Sequence, residues 1–178
     1  MGNRKRIILV ILVIILYIIY KITSPYIATP SEIKELNKNI DLPYNFGEEV
    51  REEDFILLEK QGWVRSYIVY TGIAYTNDKD DLIIFSGYPD LSNCYKFTLF
   101  RTKVEGFSVF DISVGGNIDK VKINLKKKGY REKHIYGDYV FTKGKVVITL
   151  IPDIENEIIE YIEVSLKSTN WFHKGYYK

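Results

Sequence analysis

The sequence predicts an α+β protein in which an N-terminal transmembrane helix precedes an antiparallel-sheet domain. Three observations carry that expectation. Residues 7 to 20 are uncharged and apolar and stand directly behind Arg4, Lys5 and Arg6. Eight short runs rich in β-branched and aromatic residues follow from Trp63 onward, separated by turn residues. Helix start and stop signals bracket two further segments.

Thirteen of the sixteen residues from Ile7 to Ile22 are Ile, Leu or Val. On an insertion scale that favours the bilayer by roughly 4 to 8 kcal/mol. A helix of that length is about 24 Å long against a hydrocarbon core of about 30 Å, so Lys21 is expected to snorkel outward. Arg4, Lys5 and Arg6 are expected to stay cytoplasmic, which places the rest of the chain outside the cell membrane as a single-pass, N-in protein. A cleaved signal peptide is the competing reading of the same run. Tyr26-Ile27-Ala28 and Ile22-Thr23-Ser24 fit a small-residue cleavage site poorly, which favours an uncleaved anchor. The expected organisation is therefore a basic N-terminus (1–6), an anchor (7–23), a linker with a short helix (24–47), an extracytoplasmic domain (48–168) and an aromatic, basic tail (169–178).

The chain has 25 basic and 23 acidic residues, and without Arg4, Lys5, Arg6 and Lys21 the balance is 21 to 23. That argues against nucleic acid as a partner. Abundant Tyr, Ile and Lys suggest an AT-rich bacterial genome. A single Cys excludes an intramolecular disulfide.

Within the outer part, Thr29-Pro30-Ser31-Glu32 starts a helix with Ile33, Leu36 and Ile40 on one face, and Asp41-Leu42-Pro43 ends it. Residues 48–61 read as helix up to Gly62. Strands are expected at 63–70, 73–76, 82–86, 95–102 and 107–112. Asn117 caps a helix carrying Ile118, Val121 and Leu125, and Gly129 stops it. Strands at 139–142, 145–151 and 158–166 close the domain. Leu58-Glu59-Lys60-Gln61-Gly62-Trp63 aligns with Leu125-Lys126-Lys127-Lys128-Gly129-Tyr130, and Tyr75-Thr76 with Phe141-Thr142. Duplication of a helix-plus-strands unit and coincidence are both open explanations.

Val114-Gly115-Gly116-Asn117 through Gly129-Tyr130 to Phe141-Thr142-Lys143-Gly144-Lys145-Val146 resembles the helix-then-meander unit of BLIP-like and outer-membrane assembly lipoprotein (SmpA/OmlA-like) domains, over about 55 residues. The resemblance implies protein contact and transfers no functional residue, and the lipid-bearing Cys of the lipoproteins has no counterpart here. The layout also resembles that of single-pass membrane proteins of AT-rich Gram-positive bacteria.

No catalytic, cofactor-binding or metal-ligating set emerges. His134 and His173 are the only histidines, and neither has a ligand partner at metal spacing. The Gly115-Gly116 turn lacks a phosphate-loop pattern and reads as the approach to an N-cap. Glu48-Glu49, Glu52-Glu53 and Asp80-Asp81 sit in charged stretches, which suits solvated faces better than acid-base pairs. Cys94 is read as a buried inert thiol or as a site of intermolecular pairing. Trp171, Phe172, Tyr176 and Tyr177, interleaved with Lys, are read as contact residues or as a final strand.

The expectation is thus a membrane-anchored binding or scaffold domain whose partners are the membrane and a protein or envelope component. An envelope enzyme acting through carboxylates or Cys94 is the alternative, and a surface immunity or inhibitor protein is a third.

Overall fold

The computed structural model describes residues 10–17, 31–67, 72–87, 94–153, 155 and 157–167. It divides into two compact units, Met1–Pro30 and Ser31–Lys178.

In the first unit the described residues form a helix over 10–17 whose side chains are all exposed. This corrects the expected anchor. Among the described residues no helix is long and apolar enough to cross a membrane. The single-pass topology, the membrane as partner and the cell-membrane location fall with the anchor. Arg4, Lys5, Arg6 and Lys21 lie outside the described residues.

The expected α+β class is corrected as well, because the second unit is predominantly antiparallel sheet. Its helices are short: α1 (Ser31–Lys38), α2 (Ile56–Lys60) and α3 (Ile118–Lys127). Residues 48–61 do not form one helix. They give strand β1 (Glu49–Arg51), a 3-10 turn (Glu52–Phe55) and then α2, with Val50, Phe55 and Leu58 turned inward. The acidic run is helical only where those anchors allow it.

The strands are β2 (Val64–Tyr67), β3 (Gly72–Thr76), β4 (Leu82–Gly87), β5 (Cys94–Thr102), β8 (Arg131–Ile135), β9 (Asp138–Lys143), β10 (Val146–Asp153) and β11 (Ile158–Leu166). Between β5 and α3, the expected strand at 107–112 is instead a small hairpin of β6 (Ser108–Val109) and β7 (Ile112–Ser113). Phe110 and Asp111 at its turn have φ of 51° and 64°. That is the left-handed pair a two-residue turn requires.

The large sheet runs β2-β3-β4-β5-β11-β10-β9-β8, every neighbour antiparallel, with β1 added to β5. Two four-stranded meanders, β2–β5 and β8–β11, therefore meet at a β5–β11 seam. Beyond the end of the seam, Gly47 and Glu48 bond the backbone of Phe97 and lead into β1, so the edge of β5 stays occupied.

Register fixes what each face carries. One row crosses all eight strands as Arg65, Tyr75, Ile83, Phe100, Val164, Ile148, Phe141 and Glu132. Its six inner members are buried, and charge appears only on the two edge strands. Against this face pack Ile33 and Leu36 of α1, Phe55 and Leu58 around α2, and Ile118, Val121 and Leu125 of α3. The β2–β5 half of the core is aromatic: Phe55 lies 4.7 Å from Phe85, and Phe46 lies 4.5 Å from Phe97, ring centre to ring centre. The other half is mainly aliphatic, built from Leu125, Val146, Ile148, Leu150, Ile159, Ile162 and Val164.

Each meander ends in a hairpin with one extra residue, Thr98 in β5 and Glu160 in β11. An extra residue breaks the two-residue alternation. Phe97 and Phe100 consequently both enter the core although they are three apart, and so do Ile159 and Ile162.

Helix α1 is tied to the β9–β10 turn. Lys143 Nζ lies 2.8 Å from Glu35 Oε2, and the Lys145 amide donates to Glu32 Oε1 at 3.2 Å. Asn37 exchanges two hydrogen bonds with the backbone of Phe46, at 2.9 and 3.2 Å, which holds the approach to β1.

Candidate functional site

The alternation that fills the core assigns the remaining strand residues to the second face of the sheet. One row there is Val64, Thr76, Leu82, Arg101, Glu163, Thr149, Val140 and Lys133. The next is Ser66, Ala74, Ile84, Leu99, Ser165, Val147, Thr142 and Arg131. Most of these residues are half-buried, and the buried side chains of the three helices all belong to the opposite face.

At the centre of this second face, on the seam, Arg101 stands opposite Glu163. Arg101 Nε is buried and has no acceptor among the described residues. Burial pushes the Glu163 carboxyl upward from its ordinary pKa; the Arg101 charge opposes that shift and Asp138 adds to it. Desolvation thus outweighs the attraction between the two groups. Beside them, the Tyr161 ring has Arg101 Cζ and Lys103 Nζ each 5.9 Å from its centre. Lys103 also pairs with Asp80, and that bond holds the exposed Asp80 carboxyl below its usual range. The result is a pleated field of mixed aliphatic, hydroxyl and charged side chains with one guanidinium, one aromatic ring and one destabilised carboxylate at its middle. A guanidinium beside an aromatic ring is a set that can orient a carboxylate by bidentate bonding and ring stacking.

The residues singled out in the sequence do not converge here. Cys94 opens β5 and pairs through its backbone with Arg51; the placement of its side chain lies outside the described residues. Trp171, Phe172, Tyr176, Tyr177 and His173 lie outside them too. His134 falls within β8 and stacks on Tyr139 at 4.7 Å. Among the described residues no cluster of His, Cys, Asp or Glu is arranged to hold a metal. The acidic pairs sit beside basic neighbours: Glu49 faces Lys96 at 3.3 Å, Glu52 faces Arg65 at 3.2 Å and Glu53 faces Arg51 at 3.5 Å. Asp81 is held by the Asn77 turn, its Oδ2 accepting from Asn77 Nδ2 at 2.9 Å. The Gly115 amide donates to Ile159 O at 2.8 Å and the Gly116 amide to Ser113 O at 3.0 Å, so this turn splices α3 to β11.

Arg101 and Glu163 were open to discovery in the sequence. Each is a charge flanked by core residues, Phe100 and Thr102 in one case and Ile162 and Val164 in the other. What could not be read was that β5 and β11, more than 50 residues apart, are neighbours.

No protein-family model matches this sequence, and no curated protein matches it. Among solved structures, an extracellular protein containing a SCP domain from Bacillus anthracis str. Ames aligns with a TM-score of 0.49 at 10% identity, over 75% of this chain and 47% of that one. The chain thus spans about half the length of that protein. A DUF4309 family protein (YjgB) from Bacillus subtilis subsp. subtilis str. 168 aligns with a TM-score of 0.42 at 14% identity, over 76% of this chain and 95% of that one. Neither structure is named as a BLIP-like or SmpA/OmlA-like domain.

Proposed function

We propose that this chain is a non-catalytic binding module that receives a protein partner on the second face of its sheet. The observation that carries this reading is the half-buried Arg101 guanidinium, 5.9 Å from the centre of the Tyr161 ring, in the middle of a sheet face to which the buried side chains of the three helices do not belong. A guanidinium so placed offers paired N–H donors to a partner carboxylate. Tyr161 beside it supplies the aromatic surface that, with Arg, is enriched where binding energy concentrates. Leu82, Ile84, Val140 and Val147 provide the surrounding apolar contact.

The test is a photo-crosslinking residue placed at Thr149, in the middle of this face, and in parallel at Lys34, exposed on α1. The partner captured from Thr149 is identified by mass spectrometry, purified, and titrated against the unmodified protein and Arg101→Ala. The reading requires capture from Thr149 well above Lys34 and at least a tenfold loss of affinity in Arg101→Ala. Equal capture from both positions, or unchanged affinity in a folded Arg101→Ala, rejects it.

A further inference from the structure

Among the described residues the two outermost strands of the sheet, β2 and β8, each have a neighbour on one side only, and their surroundings are opposite in charge and alike in exposing apolar side chains. On the side of edge strand β2, residues 52–67 hold four acidic and two basic residues. Next to edge strand β8, residues 118–133 hold seven basic and two acidic ones. On the acidic side Ile56, Leu57 and Val64 are 53, 59 and 65% exposed; on the basic side Ile123 and Tyr136 are 57 and 100% exposed. The edges lie seven strand spacings apart, about 34 Å at roughly 4.8 Å each, so they cannot satisfy one another within one copy.

We propose that the chain associates with itself head to tail, the β2 edge of one copy seated on the β8 edge of the next. Three features fit that join. An antiparallel step between every neighbour leaves β2 and β8 running in opposite directions, so β8 of one copy beside β2 of the next continues the alternation. Arg65 and Glu132 end the same core row, so the join places opposite charges together. Each already has a local partner of the opposite sign, Glu52 at 3.2 Å and Lys126 at 2.6 Å, and the four close into one network. The contact is heterologous, so it propagates until it closes a ring or grows a filament.

The test is sedimentation velocity of the full chain over a range of concentrations, in dilute buffer and in about 0.5 M salt, where charges are screened within a few ångströms. The expected result is a mass that rises with concentration in dilute buffer and an association at least tenfold weaker in high salt. Two charge-removing variants block one edge each: Glu52→Gln with Glu53→Gln, and Lys120→Gln with Lys127→Gln and Lys133→Gln. Each alone should associate at least tenfold more weakly, while an equal mixture should form a one-to-one pair that grows no further. Tyr136→Asn offers a check that leaves every charge in place and should also weaken association. Residues 1–30 are common to all variants and cancel in the comparison. The proposal is overturned by a monomer at every concentration in dilute buffer, by association indifferent to salt, or by either charge variant assembling like the parent. It is equally overturned if the mixture stays monomeric, or if the monomer instead binds phosphatidylglycerol vesicles through its basic edge.

Discussion

Arg101 and Glu163 stand opposite each other at the centre of the β5–β11 seam, and burial still holds the Glu163 carboxyl above its ordinary pKa. A carboxyl raised in the folded state binds more protons there than in the unfolded chain. Its penalty is therefore complete above the folded pKa and disappears as pH falls through the window down to the unfolded value near 4.5. Glu163→Gln should raise the urea midpoint at pH 7, and the gain should shrink steadily toward pH 4. A variant less stable than the parent at pH 7 would show that the attraction to Arg101 outweighs burial.

Phe141 lies in the middle of the core row and is fully buried, whereas Glu132, its partner on β8, is part of the edge. Phe141→Ala should cost about 3 to 5 kcal/mol in chemical denaturation. Glu132→Ala, which loses only a partly solvated ion pair, should cost less than about 1 kcal/mol. Similar costs at both positions would contradict the assigned register.

Gly62 and Gly129 end α2 and α3 in the same manner, with φ of 85° and 86°. The next amide in each case, Trp63 or Tyr130, donates back to the helix at 3.0 Å, to Leu58 O or Leu125 O. A Cβ at either glycine meets no atom within 4 Å, so an alanine pays only for its backbone conformation. Gly62→Ala and Gly129→Ala should each cost about 1 to 2 kcal/mol and agree closely. A large difference in their thermal shifts would break the equivalence of the two helix ends.

Tyr136 occupies the first position of the β8–β9 turn at φ 52°, wholly exposed, with Gly137 following at φ 98°. Asn tolerates that conformation better than a ring-bearing residue does. Tyr136→Asn should therefore stabilise the monomer by roughly 0.5 kcal/mol while weakening self-association. A loss of thermal stability would mean that the ring supports the hairpin in a way its exposure hides.

Much of the fold could be read from local pattern. Helix α3 lies where Asn117, the Ile118–Val121–Leu125 spacing and Gly129 place it, and its cap is made by the Lys120 amide donating to Asn117 Oδ1 at 3.1 Å. Strand β11 spans the alternating run Ile158–Leu166. Strand β8 was missed because Arg131-Glu132-Lys133-His134 carries charge on both faces, as edge strands do to discourage uncontrolled pairing. Strand β1 was missed because its acidic surroundings suit a helix, and only pairing with β5 makes it extended. The apolar run at 7–20 advertised a membrane crossing through composition alone. The second face went unread for a different reason: its residues belong together only once the seam joins the two halves.

That seam has a consequence for how the molecule is made. The inner edge of β5 receives its long partner from β11, which leaves the ribosome only after the more than 50 residues that follow β5. Until Ile162 and Val164 emerge, the first meander waits with Phe100 uncovered on that side, and only β1 guards part of the border. Synthesis must therefore carry a half-built sheet while β6 to β10 are made, and any helper that shields nascent chains has its natural target there.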